Sequence, residues 1–193
     1  MRVTGGSAKG RRLKSPAAGV RPTSDLVREA IFDVLAAQGT YMTRVLDLYA
    51  GSGALGIEAL SRGSERCDFV ERSPANAKLI ENNLDITQLR EHGFVHRIAV
   101  ARAAERLDGT YDLVLADPPY DDGAAPGALE HIAGSPLLSD DATLVWEHAS
   151  REPPREQLGP LCLRWTRRYG GTQVSIYHRE ASAQGPRSEE REP

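Results

Sequence analysis

Val45-Leu46-Asp47-Leu48-Tyr49-Ala50-Gly51-Ser52-Gly53-Ala54-Leu55-Gly56 is a short apolar run that ends in three glycines at Gly-x-Gly-x-x-Gly spacing. The run has the length and composition of a buried strand, and helical spacing resumes through Ile57, Leu60 and Gly63. A strand that turns on glycines into a helix is the first unit of an open α/β sheet. Glu71 lies twenty residues past Gly51, at the end of the next apolar stretch, Cys67–Glu71, where a carboxylate can take two ribose hydroxyls. In that context the loop points to a nucleoside cofactor rather than a plain tight turn.

Charge decides which cofactor. A dinucleotide needs its pyrophosphate at the helix N-terminus, and Asp47 stands just before the glycines, where it would face that anion. S-adenosyl-L-methionine carries an ammonium and a sulfonium instead, which a nearby acid attracts. The alternative for Asp47 is a cap on the following turn.

On either side the pattern continues. Ser24 and Asp25 can open a helix over 24–39 whose apolar stripe is Leu26, Val27, Ala30, Ile31, Val34 and Leu35. Ser73 and Pro74 open another after the second strand. Further strands are expected at 94–100, 111–116 and 142–147, with helical pieces at 101–107 and 124–134. Strand and helix alternating at this spacing predict a mostly parallel sheet with helices on both faces. Leu161–Arg168 and Thr172–His178 around Tyr169-Gly170-Gly171 predict an antiparallel hairpin that closes it. Residues 1–23, rich in Gly, Ser, Pro and basic residues, read as an extended arm, and residues 181–193 as a disordered tail, leaving one domain over 1–180.

Composition excludes several classes. At 193 residues with 40% hydrophobic and 26% charged, the chain is globular and has room for one core. No apolar run approaches the roughly 18 residues of a spanning helix, so no membrane partner is expected. The first residues, Met1–Gly6, lack the apolar stretch of a secretory signal. Cys67 and Cys162 have no Cys-x-x-Cys spacing and the five histidines form no ligand pair, so no metal is expected and a reducing cytoplasm is the expected compartment. Net charge is −3, but residues 1–28 carry +6 and residues 161–179 carry +4, which leaves −13 for the rest. Two basic surfaces on an acidic body suit a polyanion.

A second motif, Asp117-Pro118-Pro119-Tyr120, follows the buried strand Leu113–Ala116 directly. Consecutive prolines keep the backbone extended and free a carbonyl from the ladder. Asp117 and the Pro118 carbonyl can accept both N–H bonds of a nucleobase amine, and Tyr120 can stack on the base. Methyl transfer to that amine is then largely a matter of positioning.

These motifs, with Gly10-Arg11-Arg12-Leu13-Lys14, Arg21-Pro22-Thr23-Ser24-Asp25, Val27-Arg28-Glu29-Ala30 and Arg167-Arg168-Tyr169-Gly170-Gly171-Thr172, resemble the RsmD-type methyltransferases over about residues 2–178. The resemblance implies a Rossmann-like class I fold. It also implies methylation of the exocyclic N2 amine of one guanine in bacterial small-subunit (16S) ribosomal RNA, with S-adenosyl-L-methionine as cofactor. Carried over by position, Asp47, Tyr49, Gly51, Gly53 and Glu71 would hold the cofactor, and Asp117, Pro118 and Tyr120 the amine. Lys9, Arg11, Arg12, Lys14, Arg21, Arg167 and Arg168 would bind RNA, within a partly assembled small subunit and as a monomer. Ile98-Ala99-Val100 stands where many members have Asp or Asn near the adenine, so no residue is assigned there. Three alternatives stay open: a DNA adenine or cytosine amine methyltransferase, a protein-glutamine methyltransferase, and a non-catalytic RNA-binding module of the same fold.

Overall fold

The computed structural model describes residues 1–16 and 24–179. Ser24 accepts a hydrogen bond from the Val27 backbone and opens α1, Asp25–Ala37. The chain then alternates β1 (Arg44–Leu48), α2 (Ala54–Ser61), β2 (Arg66–Val70), α3 (Pro74–Thr87) and β3 (Gly93–His96). There follow α4 (Ala103–Arg106), β4 (Tyr111–Ala116), α5 (Ala125–Ala133), β5 (Leu138–Ala149), β6 (Gln157–Leu158), β7 (Leu161–Tyr169) and β8 (Thr172–Arg179).

The strands form one sheet in the order β3-β2-β1-β4-β5-β8-β7-β6. The first five are parallel, and β5 through β6 are antiparallel, so the fold is the α/β sheet with the closing hairpin that the pattern predicts. Along β1, Val45 packs with α1 and α2 on one face, while Leu46 and Leu48 pack with α4 and α5 on the other. Order reverses between β1 and β4, and the crevice at that reversal is where open α/β sheets bind ligands.

Three expectations change. The first is residues 1–16, which pack rather than extend: Val3, Ala8 and Leu13 are buried in the α1/α2 core, and an isolated antiparallel bridge joins Arg2 to Arg12. The reason is Glu58 on α2, fully buried, whose carboxylate accepts bonds from the Thr4 amide (2.8 Å), the Thr4 hydroxyl (2.7 Å) and the Gly5 amide (2.7 Å). Three apolar anchors spread over eleven residues have no period, so the packing leaves no pattern to read. Second, α1 turns Leu26 outward at 69% exposure and buries Arg28, which donates to Glu58 (3.3 Å) and Asp25 (2.9 Å). Third, β3 stops at His96 because the Ile98 amide turns back onto the His96 carbonyl (2.9 Å). Arg21 and the tail beyond residue 179 lie outside the described residues.

Candidate active site

At the carboxyl edge of β1, β2, β4 and β5 lies a cavity of about 870 Å³. The glycine loop forms one wall. Tyr49 and Gly51 have φ of 57° and 55°, and Gly53, which precedes α2, has φ of 77°. Glycine tolerates this left-handed backbone, whereas Tyr49 holds it at a cost. Gly56 serves packing: a Cβ there would stand 2.4 Å from Phe69 and 2.6 Å from the Cys67 Sγ, so α2 can lie this close to β2 only on a glycine.

Glu71 directly follows β2 on the cavity wall, nearly buried. Its carboxylate accepts from the Gly51 amide (3.0 Å) and the Ser73 amide (2.7 Å), which ties the glycine loop to the start of α3. Asp47 does not reach the wall. It is buried beneath the loop and accepts from the Gly56 amide at 2.9 Å, the turn cap that stood as its alternative. Burial raises its carboxyl well above the usual range, and the nearby Asp117 and Glu71 charges add to this against the Gly56 N–H. Gly53 likewise shapes the loop without lining the cavity. Tyr49 does line it; burial, with the Asp122 charge, pushes its phenol up to about 12, so the hydroxyl stays protonated at neutral pH.

Opposite the loop, β4 delivers Asp117, Pro118 and Tyr120 to the same cavity. Pro118 is buried, Asp117 half-buried, and Tyr120 is 38% exposed at the mouth. The Tyr120 hydroxyl bonds the Thr172 hydroxyl at the start of β8, so the closing hairpin orients the ring. Tyr169 and Gly170 from the same hairpin also line the cavity. The Tyr169 hydroxyl is buried and has no hydrogen-bond partner among the described residues. Thr172, Tyr169 and Glu147 were not singled out by spacing, and only the hairpin motif hinted at the first two. Ile98, Ala99 and Val100 supply an apolar wall.

The charge of this wall is lopsided. Among the described residues it carries five carboxylates, Glu71, Asp117, Asp121, Asp122 and Glu147, against the single guanidinium of Arg72. The basic candidates lie elsewhere. Lys9, Arg12 and Lys14 are exposed, while Arg11 donates to the Ile86 carbonyl (2.6 Å) and Gln88 (2.7 Å). Arg168 is exposed and bonds the Gly170 carbonyl (2.9 Å); Arg167, also exposed, stands over the Tyr169 ring.

Residues 1–178 match the family model described as Conserved hypothetical protein 95. The chain belongs to this family, the RsmD-type methyltransferases. A Bacillus subtilis relative, YlbH, provisionally named an rRNA methyltransferase, is 41% identical over 92% of this chain and 98% of its own length. The Escherichia coli ribosomal RNA small subunit methyltransferase D is 34% identical over 76% of this chain and 74% of its own. The solved structure of Escherichia coli yhhF, provisionally named a methyltransferase, superposes with a TM-score of 0.81 at 30% identity, covering 94% of this chain and 99% of that one. An RNA methyltransferase from Salinibacter ruber shares the fold alone, with a TM-score of 0.62 at 17% identity over 82% and 93% of the two chains. The RsmD-type family is thus one of rRNA methyltransferases, and among the described residues of this member no helix is long and apolar enough to cross a membrane.

Proposed function

We propose that this chain transfers a methyl group from S-adenosyl-L-methionine to the exocyclic N2 amine of a guanine in small-subunit ribosomal RNA. The observation that carries this reading is that Asp117, Pro118 and Tyr120 share one cavity with Gly51 and Glu71. The relatives' names support the RNA substrate. The Salinibacter ruber enzyme of the same fold, solved with S-adenosyl-L-homocysteine, supports the cofactor.

The residues present fit that cofactor. The cavity is within the roughly 300–1,000 Å³ usual for small-molecule sites. Five carboxylates against one guanidinium favour a ligand bearing an ammonium and a sulfonium and oppose a pyrophosphate. Glu71 would take the ribose hydroxyls, the backbone at Gly51 would admit the methionine portion, and Ile98–Val100 would pack against the adenine. Asp47 would act from below by holding the loop through the Gly56 amide. When bound, the cofactor supplies a methyl group on a sulfonium.

The rest is done by side chains of this protein. Asp117 and the Pro118 carbonyl accept the two amine N–H bonds and draw the nitrogen lone pair out of the ring. Tyr120, oriented by Thr172, stacks on the base, a contact worth about 1–3 kcal/mol. Asp117 holds the proton that the substituted nitrogen releases. Lys9, Arg12, Lys14, Arg167 and Arg168 would meet phosphates; two basic regions on one chain suit RNA shaped by a partly assembled small subunit. With both regions on one chain a monomer suffices, acting in the cytoplasm.

The test is to incubate the protein and labelled cofactor with naked ribosomal RNA, small subunits or duplex DNA, then identify the methylated nucleoside. N2-methylguanosine from RNA or subunits is expected. Label in DNA adenine or cytosine, or none anywhere, overturns the reading.

A further inference from the structure

Beside Asp117 stands a second acid that the spacing of motifs does not reveal. Glu147, in β5, is 4% exposed and lines the cavity. Strands β4 and β5 run parallel with Leu115 opposite Val145 and Ala116 opposite Trp146. Leu115 and Val145 both pack into the core beneath α1 and α2. Side chains alternate along a strand, so Asp117 and Glu147, two residues further on, are directed to that same face. Neighbouring strands lie about 4.8 Å apart. Carried on by one pair, that register sets Asp117, just past the end of β4, opposite Glu147, and both line the one cavity at the carboxyl edge of the sheet.

We infer that Glu147 selects guanine over the other amine-bearing bases by accepting a hydrogen bond from its ring N1–H. The inference rests on the functional reading above and deepens it. Three bases carry an exocyclic amine, and they differ in the ring nitrogen beside it. In guanine that nitrogen, N1, bears a hydrogen and donates. In adenine (N1) and cytosine (N3) it bears a lone pair and accepts. An ionised carboxylate only accepts, so Asp117 and Glu147 together match an edge that presents consecutive donors, the N2 amine and N1–H. The same pair sets a negative charge against the lone pair of adenine or cytosine, which rejects those bases. The hydrogen bonds of such a site are left unmade by an analogue without the donor, which is how polar sites discriminate most strongly.

The experiment compares guanine with 2-aminopurine, which keeps the 2-amine but has a lone pair at N1. Once the methylated position is located, small subunits are reconstituted on RNA carrying either base there. Each is assayed with wild type, Glu147→Gln and Glu147→Asp, and affinity for S-adenosyl-L-homocysteine is measured by calorimetry. Wild type is expected to prefer guanine by about 10- to 150-fold in kcat/KM, the range for a hydrogen bond to a charged group. Glu147→Gln, whose amide can donate as well as accept, is expected to lose guanine turnover by a similar factor and bring the ratio near one, with cofactor affinity within about twofold. Glu147→Asp keeps a carboxylate and is expected to keep the preference at lower rate. Equal turnover of the two bases by wild type overturns the inference without reference to any variant, as does an unchanged ratio in a folded Glu147→Gln. Methylation of adenine or cytosine in place of guanine overturns the functional reading itself, and is told apart by the identity of the product.

Discussion

Two parts of this molecule gather acids in opposite ways. Under the N-terminal segment, Glu58 is surrounded by donors of the chain itself: Thr4, Gly5, Arg28 and Arg62. Burial alone would raise its carboxyl, but the Thr4 bonds, Arg62 and Arg28 outweigh burial and hold it below its ordinary value. Around the cavity, five carboxylates share a wall with one guanidinium, and Asp47 below them is raised. Acids that build the fold are matched internally. Acids along the cavity wall are grouped with a single guanidinium among the described residues, and two of the acids at the loop, Glu71 and Asp47, accept only from backbone amides among the hydrogen bonds described.

The largest effect is expected where the internal match is broken. Glu58→Ala removes the carboxylate from a fully buried ion pair with Arg28 and takes the acceptor from the Thr4 and Gly5 donors, leaving Arg28 its Asp25 partner. A loss of about 3–5 kcal/mol follows from leaving one partner of such a pair buried, read as a lower denaturation midpoint. A loss under 1 kcal/mol would mean that residues 1–16 are not held by this network.

Breaking the amine side of the cavity should leave stability alone and strike function. Asp117→Ala is expected to lower methyl transfer by about two to three orders of magnitude, as for removal of one positioned hydrogen-bonding group, with the melting temperature and S-adenosyl-L-homocysteine affinity kept. Near wild-type turnover would exclude it from the amine site. Glu71→Ala should instead weaken S-adenosyl-L-homocysteine binding, by about 1.5–3 kcal/mol for charge-assisted bonds. Unchanged affinity in calorimetry would place the ribose elsewhere.

Acidity sharpens the contrast through opposite signs. Burial would raise Asp68 on β2, yet the Arg66 and His96 hydrogen bonds hold it down to about 2. Its stabilisation is present above the ordinary value of 3.8 and is lost as pH falls through about 2. Asp47 is raised, so its contribution is present below 3.8 and is lost as pH rises toward its folded value. Asp47→Asn should therefore gain on wild type as pH rises from 4 to 7 in urea melts. A difference that shrinks over that range would contradict the raised acid.

The smallest effects separate two neighbouring arginines. Arg11 bonds the Ile86 carbonyl and Gln88, so Arg11→Ala should cost about 0.5–1.5 kcal/mol of stability. Arg12 is exposed, and Arg12→Ala should keep stability and reduce the salt slope of RNA binding by roughly 0.7–0.9, one phosphate contact. Equal effects of both changes in both assays would remove the distinction.

Local order made much of this architecture legible. Apolar runs, glycine spacing and the Ser24 and Ser73 caps are short-range features, and each marks an element that forms where its pattern lies. The positions of Gly51, Glu71, Asp117 and Tyr120 on one cavity follow from the topology those elements impose. Leu26 was misplaced because the stripe it belongs to is local, whereas the burial of Arg28 depends on Glu58, thirty residues on.

What the amino-acid order alone determined is the parallel α/β sheet, its closing hairpin and the two motifs that meet at its carboxyl edge, because hydrophobic period and turn residues act within a few positions along the chain. Tertiary structure decided that Thr4 seats on Glu58 across 54 residues, that Tyr120 meets Thr172 across 52, and that Glu147 shares the cavity wall with Asp117. Those contacts join segments with no shared period. They exist only once strand register and helix packing bring the segments together, and burial then favours pairing of the polar groups they enclose.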